Sequence, residues 1–562
     1  MYLRTTRRKN SDGSQAEYYQ LAHNVRHPDT GAPTAQIVHS FGRADELDRD
    51  ELARLCRSIA RVCNLTVLDP LEVAEEVPSS GVGLPSDVKL IGAVELGAPL
   101  VIEAFWEELG MGAVLRGACK DRRLKVPHER ALLAMTANRL CAPESKLGVW
   151  DRWLKTVYMP SCQGLKLRQM YDAMDVLHEN IEHVERHIFS TTANLFNLDV
   201  DVIFYDTTTA SFAIDEADPD DEESGDEGLR QLGHSKEGNW TPQVVIALAV
   251  TRDGLPVRSW VFPGNTADVT TVERVKADLK DWKLGRALFV ADAGMNCEDN
   301  RRELAKACGK YLLATRLGSV KELKEEVLTR PGRYKILADN LHAKEVIVGD
   351  GARQRRYVLC YNPKEADRQR QHREQVITEL QADLATHPEK KATAQWAIEL
   401  KASKRYGRYL LISLDGLLAI DRDAIRDAAR FDGKWIVETN DDTLTPEDAA
   451  KGYKALLVIE RCFRSLKRTQ IKLTPMFHWV PRRIETHVKI CVMALLIERV
   501  IEQKCGRPWA RIRTELRGLQ ATLFQTNSHR FYQRNEVPKS VASTLKTLAL
   551  SLPKRVLGVS PL

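Results

Sequence analysis

At residue 201 the spacing of apolar residues changes, and that change constrains the fold more than any other feature of the chain. From about 96 to 198 apolar residues recur every three to four positions, in PLVIEAFWEELGMGAVL, HERALLAMTANRL and LRQMYDAMDVLHENIEHVERHIFSTTANLF, which is helical spacing. Three strand candidates then follow in succession: DVIFYDTTTASF, PQVVIALAV and LPVRSWVFPG. After them come a helix (DVTTVERVKADLKDW), a strand (ALFVADAG), a helix (NCEDNRRELAKACG) and a strand (KYLLATRL).

A three-strand meander followed by alternating helix and strand is the order of an RNase H-like α/β core, although other mixed folds share parts of it. Residues 319–430 interrupt the pattern with RYKILAD, AKEVIVG and RRYVLCY, a charged helical stretch at 363–402 and YLLISLDG, and a strand resumes at DGKWIVETND, so this stretch reads as an inserted β-rich domain. The expected organisation is an N-terminal β/α region (1–95), a helical domain (96–199), a first core segment (200–318), the insertion (319–430), a second core segment (431–503) and a C-terminal helical region (504–562). Within 1–95, short strands are expected first and then a helix at 49–62.

At 562 residues and 43% hydrophobic, the chain is long enough for two to four domains. Its start, MYLRTTRRKN, is polar and basic, and no run of about 18 apolar residues follows anywhere, so neither an export signal nor a membrane span is expected. The 11 cysteines show no zinc-type or redox spacing, as in a reducing cytoplasm. Charge is uneven: residues 214–228 carry nine acids and no base, an expected mobile loop held away from phosphates. Residues 451–520 hold 16 Lys or Arg against 5 Asp or Glu. Such a region is either a solvated surface or a face for nucleic acid.

Two aspartates are expected at strand ends, Asp206 in FYDTTT and Asp292 in FVADAG. Neighbouring strands lie about 5 Å apart, so carboxylates at matching ends can share a metal ion. A third candidate lies in KGYKALLVIERCFRSLKRTQ. If that run is one helix, Tyr453, Glu460 and Lys467 share a stripe with Arg464 beside it, opposite Ile459, Cys462 and Leu466. Elsewhere, PGNTAD (263–268) reads as a strand-to-helix connection, GHSKEG as a turn or a DNA-facing loop, and Phe477 and Trp479 as core residues in preference to rings that stack on an unpaired base.

The motifs YDTTT, GHSKEGNWTPQVVIALAVTRDGLPVRSWVFPGNTAD, FVADAGM, DGKWIVETN and YKALLVIERCFRSLKRTQ together resemble the DDE transposases of bacterial insertion sequences, in the group with a β-rich insertion before the last carboxylate. That family's signature places Tyr, Arg, Glu and Lys along one helix. Tyr453, Glu460 and Lys467 match it, and Leu456 stands where the Arg would be.

The resemblance implies that Asp206, Asp292 and Glu460 are catalytic and hold two Mg²⁺ ions, with Mn²⁺ substituting, that Tyr453, Arg464 and Lys467 contact DNA, and that the helical domain 96–199 binds DNA ends. It also implies cleavage and strand transfer at terminal inverted repeats, a target DNA, and a homodimer in the paired-end complex, in the bacterial cytoplasm. Two alternatives stand beside it: a repurposed relative that binds DNA without cutting it, and a metal-dependent nuclease without strand transfer.

Overall fold

The computed structural model describes residues 2–9, 15–26, 33–43, 88–121, 127–198, 200–219, 228–317, 323–351, 354–387 and 391–562. The helix expected at 49–62 and the 220–227 part of the acidic segment lie outside them. The chain divides into two compact units, Met1–Ser86 and Asp87–Leu562. In the first, β1 (Tyr2–Lys9), β2 (Gln15–Arg26) and β3 (Pro33–Arg43) form an antiparallel sheet with β2 in the centre.

The second unit begins with β4 (Lys89–Glu95) and a helical layer that includes Gly97–Glu108, Met111–Asp121, His128–Cys141, Leu167–His178 and Ile181–Phe196. Helix His128–Cys141 is buried along nearly its whole length and packs against the 25-residue helix Pro481–Cys505, which is itself buried from Ile484 to Ile501 on most of its faces. A helix with no polar side belongs in the middle of a layer, and both of these lie there.

A ten-stranded mixed sheet forms the centre. Its strands are β5 (Val202–Ser211), β6 (Gln231–His234), β7 (Trp240–Thr251), β8 (Pro256–Pro263), β9 (Leu288–Ala291), β10 (Lys310–Thr315), β11 (Lys335–Ala338), β12 (Leu341–Val348) and β13 (Arg355–Tyr361); after the separate hairpin of β14 (Leu410–Ile412) and β15 (Leu418–Ile420) comes the tenth, β16 (Lys434–Thr439). Strands β5, β9 and β10 are parallel, and β7 and β8 are antiparallel to their neighbours. The local order β8-β7-β5-β9-β10 follows from the meander and the two helical crossovers that the hydrophobic spacing predicts.

Side chains alternate across the sheet. Phe204, Ile246, Leu248 and Val290 join the large core beneath helix Pro481–Cys505, whereas Tyr205, Val245, Ala247 and Phe289 pack beneath helix Val272–Asp281.

Two parts differ from expectation. Strands β11, β12 and β13 do not form a separate β domain, because β13 pairs with β16 from Arg356 to Tyr361 and extends the central sheet. β16 thus has partners on both sides, which removes an otherwise open edge. The remainder of the interruption is mostly helical (Pro363–Thr386, Gln395–Ala402 and Arg422–Ala429), in agreement with the helical stretch expected at 363–402, and has its own small core around Val376, Leu380 and Leu418.

The C-terminal region is likewise not purely helical. β17 (Gln520–Gln525), β18 (His529–Arg534) and β19 (Val556–Pro561) build a four-stranded antiparallel sheet completed by β4. Strands of six residues carry too short a period to stand out, and their outer partner lies far away in the sequence.

Candidate active site

The parallel pairing of β5 with β9 runs from Val202 opposite Leu288 to Tyr205 opposite Ala291, and there it stops. Asp206 is the next residue of β5 and Asp292 the first residue beyond β9, so they stand at equivalent positions on neighbouring strands. One expectation needs correction. Asp206 does not end its strand, because β5 continues to Ser211 paired with β7. The carboxylate lies where the strand loses one neighbour, and the other neighbour keeps the backbone straight. It is half-buried, on the same sheet side as Phe204.

Burial pushes the Asp206 carboxyl up to about 7. The Thr207 N–H, donating to Oδ1 at 2.8 Å, and nearby Lys236 oppose that rise, while the charges of Asp292 and Asp268 add to it. Asp292 is exposed, at the entry to a short 3₁₀ turn, Ala293–Met295.

The 451–470 run is not one helix. It forms Pro446–Lys454, Leu457–Arg464 and a π-helical turn, Ser465–Thr469. Both ends of the expected stripe nevertheless reach the sheet. The Tyr453 hydroxyl donates to Asp292 Oδ1 at 2.9 Å, and Lys467 Nζ lies 3.4 Å from Thr208 Oγ1, two residues beyond Asp206 on the same sheet face. Tyr453 rests against Trp435, and its hydroxyl is held well above the usual phenol range by burial, then by Asp292, with smaller effects of Asp206 and Glu460. Lys467 also pairs with Glu237 at 2.5 Å.

Glu460, between these two anchors, is exposed, as is Arg464, while Ile459, Cys462 and Phe463 on the opposite side are buried. Burying Ile459 and Phe463 contributes about 1.5–3 kcal/mol each toward holding this short helix on the sheet. Leu456 is buried in the core at the junction of the two helices, where a charged side chain would need a partner.

Sequence reasoning missed Asp268. Its carboxylate accepts from Thr207 Oγ1 at 2.5 Å and from Lys236 Nζ at 2.7 Å, so PGNTAD is part of the carboxylate neighbourhood as well as a connection. Only the tertiary approach of the loop reveals this. Gly264 makes the approach possible, because a Cβ there would overlap the carbonyl oxygens of Gln243 and Gln231. Gly264→Ala is expected to destabilise the protein by about 1–3 kcal/mol, read as a lowered midpoint in thermal or urea unfolding.

Among the described residues no group of three or more His, Cys, Asp or Glu side chains stands ready to hold a metal ion, and no hydrogen bond or ion pair joins Glu460 to Asp206 or Asp292. The donor chemistry still suits a divalent cation. Two in-register carboxylates offer hard oxygen ligands, a third lies on the facing helix, and the burial that opposes ionisation of Asp206 would be offset by positive charge. Among the described residues no helix is long and apolar enough to cross a membrane.

Comparison with known families matches residues 201–497 to the transposase DDE domain and residues 3–76 to the N-terminal domain of IS1634 family transposases. Among solved structures, the piggyBac transposase synaptic complex with hairpin DNA is similar over 75% of this chain and 79% of that one, at 9% identity and a TM-score of 0.36. No curated protein sequence matches the chain.

Proposed function

Because the chain belongs to the DDE transposases of bacterial insertion sequences, we propose that Asp206, Asp292 and Glu460 are the three carboxylates of its DNA-cutting centre, on an RNase H-like core formed by 200–318 and 431–503. The observation that carries this is the register of β5 and β9, which brings Asp206 and Asp292 side by side where the parallel pairing ends. The strand order β8-β7-β5-β9-β10, with 319–430 entering between the second and third carboxylates, supports the same reading.

Asp206, Asp292 and Glu460 would hold Mg²⁺, two ions in the full site, with Mn²⁺ as a substitute. Bound there, such ions supply positive charge to the scissile phosphate and lower the pKa of an attacking water or 3′-hydroxyl. The chain's own residues do the rest. β5 holds Asp206 rigidly between β7 and the end of β9. Tyr453 orients Asp292 through its hydroxyl. Asp268 restrains Lys236 and Thr207 beside Asp206.

Lys467 and Arg464 face the same side and take backbone phosphates, Lys467 by exchanging Glu237 for a phosphate oxygen. The substrates in this reading are duplex DNA with terminal inverted repeats and a target DNA. The complex is a dimer that pairs two ends, and the compartment is the bacterial cytoplasm.

The test is incubation of the full chain with a duplex carrying the element's end, with Mg²⁺ or with EDTA. Cleavage at the end in Mg²⁺ alone is expected, and a protein that binds the end but never cuts it would refute the reading. For the phosphate contacts, Lys467→Ala should reduce the slope of log K against log salt by about 0.9 for duplex DNA, and Glu237→Gln should tighten end binding. An unchanged slope would remove Lys467 from the interface.

A further inference from the structure

The segment that follows Lys467 leads into a cavity of about 630 Å³ formed between it and the helical layer. Four of the lining residues are bases, Arg139, Lys146, Lys472 and Arg483. The single lining acid, Glu144, is engaged by Arg152 at 2.9 Å. Two of these cations are buried in an unusual way. Lys146 is 3% exposed, and among the described residues the one hydrogen-bond contact of its ammonium is to His487 Nδ1 at 3.1 Å. The Nε2 of that histidine faces the Leu473 carbonyl at 3.0 Å, so Nε2 donates there and Nδ1 accepts from the ammonium, which leaves Lys146 with a neutral partner.

Arg139 is 4% exposed; its terminal nitrogens donate to the carbonyls of Lys472 (3.1 Å) and Glu144, while among the described residues its Nε has no hydrogen-bond partner. A buried donor left unmatched costs about 1–3 kcal/mol. Burial and the neighbouring Arg139 press Lys146 down to about 7, and burial together with Lys146, Arg483 and Arg139 presses His478 down to about 3. Cations outnumber acids in the lining: beside the four bases stands only Glu144, shared with Arg152, although Arg483 is itself paired with Asp175 at 3.0 Å.

Its mouth is aromatic. Phe477 and Trp479, expected from sequence to be core residues, are 69% and 72% exposed and line the opening. Large rings left in water beside buried cations fit a ligand with a flat face and an anionic group.

We propose that this cavity binds one unpaired nucleotide of a DNA strand, its base against Phe477 and Trp479 and its phosphate toward Arg139 and Lys146. The inference rests on the reading that the protein acts on DNA. A base inside a duplex presents only its edges, so a nucleotide must leave the stack to enter a concave site of this size. The same chain segment carries Lys467 and the two rings, so a strand whose phosphates follow Lys467 away from the carboxylates is directed toward the cavity.

The experiment uses the full chain without metal and a single-stranded oligonucleotide carrying 2-aminopurine at one position. The wild type is expected to quench its emission severalfold by stacking. The double variant Phe477→Ala/Trp479→Ala should lose the quench and bind at least about tenfold more weakly, and Trp479→Phe should restore part of it. Both rings are exposed, so these substitutions leave the core intact. Lys146→Met should weaken binding while a stacked base remains detectable at higher protein concentration. Asp206→Asn should quench as the wild type does.

Unchanged emission with the wild type, a quench that survives in the double variant, or a fully paired duplex that competes as well per nucleotide would each overturn the proposal. Those outcomes leave the cleavage reading standing, because Mg²⁺-dependent cutting of an end duplex reports on it separately.

Discussion

Asp206→Asn is expected to reduce Mg²⁺-dependent cleavage of an end-bearing duplex by at least about 10²–10³-fold while end binding stays within about twofold of the wild type. The amide keeps the shape of the side chain and still accepts the Thr207 N–H at the position of Oδ1. It loses the charge that a divalent ion would require. The β5 backbone, paired with β7 through this residue, gives no reason for the fold to change. Gel-shift titration and a cleavage time course on the same preparation check both halves. Cutting at a comparable rate would remove Asp206 from the chemistry, and loss of binding together with cutting would point to a structural role.

The second large effect concerns stability without metal. A carboxyl whose value rises from the ordinary 3.8 to about 7 on folding binds its proton more tightly in the native state than in the unfolded one. Between about pH 4 and pH 7 the folded protein therefore carries more protons, and stability falls as pH rises through that window. The penalty is complete above pH 7 and is relieved on acidification. At about 1.36 kcal/mol per tenfold change in proton affinity, and with allowance for partial exposure, it is about 1–3 kcal/mol.

Glu498, also raised to about 7 by burial, and Lys146, lowered to about 7, titrate in the same range, so the wild-type profile alone is ambiguous. The difference between wild type and Asp206→Asn isolates the group. In EDTA the variant should be the more stable protein at pH 8, and the two should converge by pH 5. Replacing EDTA with millimolar Mg²⁺ at pH 8 should raise the wild-type melting temperature and leave the variant's nearly unchanged. A difference that does not vary with pH would mean that burial does not penalise the Asp206 charge.

The sequence carried the central sheet clearly because each strand has a full alternating or continuous apolar run, and the crossover helices are bounded by turn residues. It also carried the neighbouring placement of Asp206 and Asp292, since an acid at the end of an apolar run is visible without tertiary information. The exact place of Asp206 was not legible. Whether a strand stops or merely loses one of two partners depends on the length of its neighbour, and β9 is only four residues long.

Asp268 was hidden for a related reason. Its contacts to Thr207 and Lys236 arise from a loop folded over the sheet edge at Gly264, and local chemistry shows only a turn. The helix assumed over 451–470 breaks at Ala455 and Leu456, yet Tyr453 and Lys467 still reach the sheet. Phe477 and Trp479 read as core because aromatic residues between two apolar runs usually are; their exposure belongs to a cavity whose other wall, at Arg139 and Lys146, comes from more than 300 residues earlier in the sequence.

The most direct measurement is Mn²⁺ occupancy by electron paramagnetic resonance, with the full chain bound to an end duplex, for wild type and for Asp206→Asn, Asp292→Asn and Glu460→Gln. The wild type is predicted to hold two ions per protomer, and each variant to lose at least one, with the largest loss at Asp206. Equal occupancy in the wild type and all three variants would contradict the assignment of these carboxylates as the metal-holding centre.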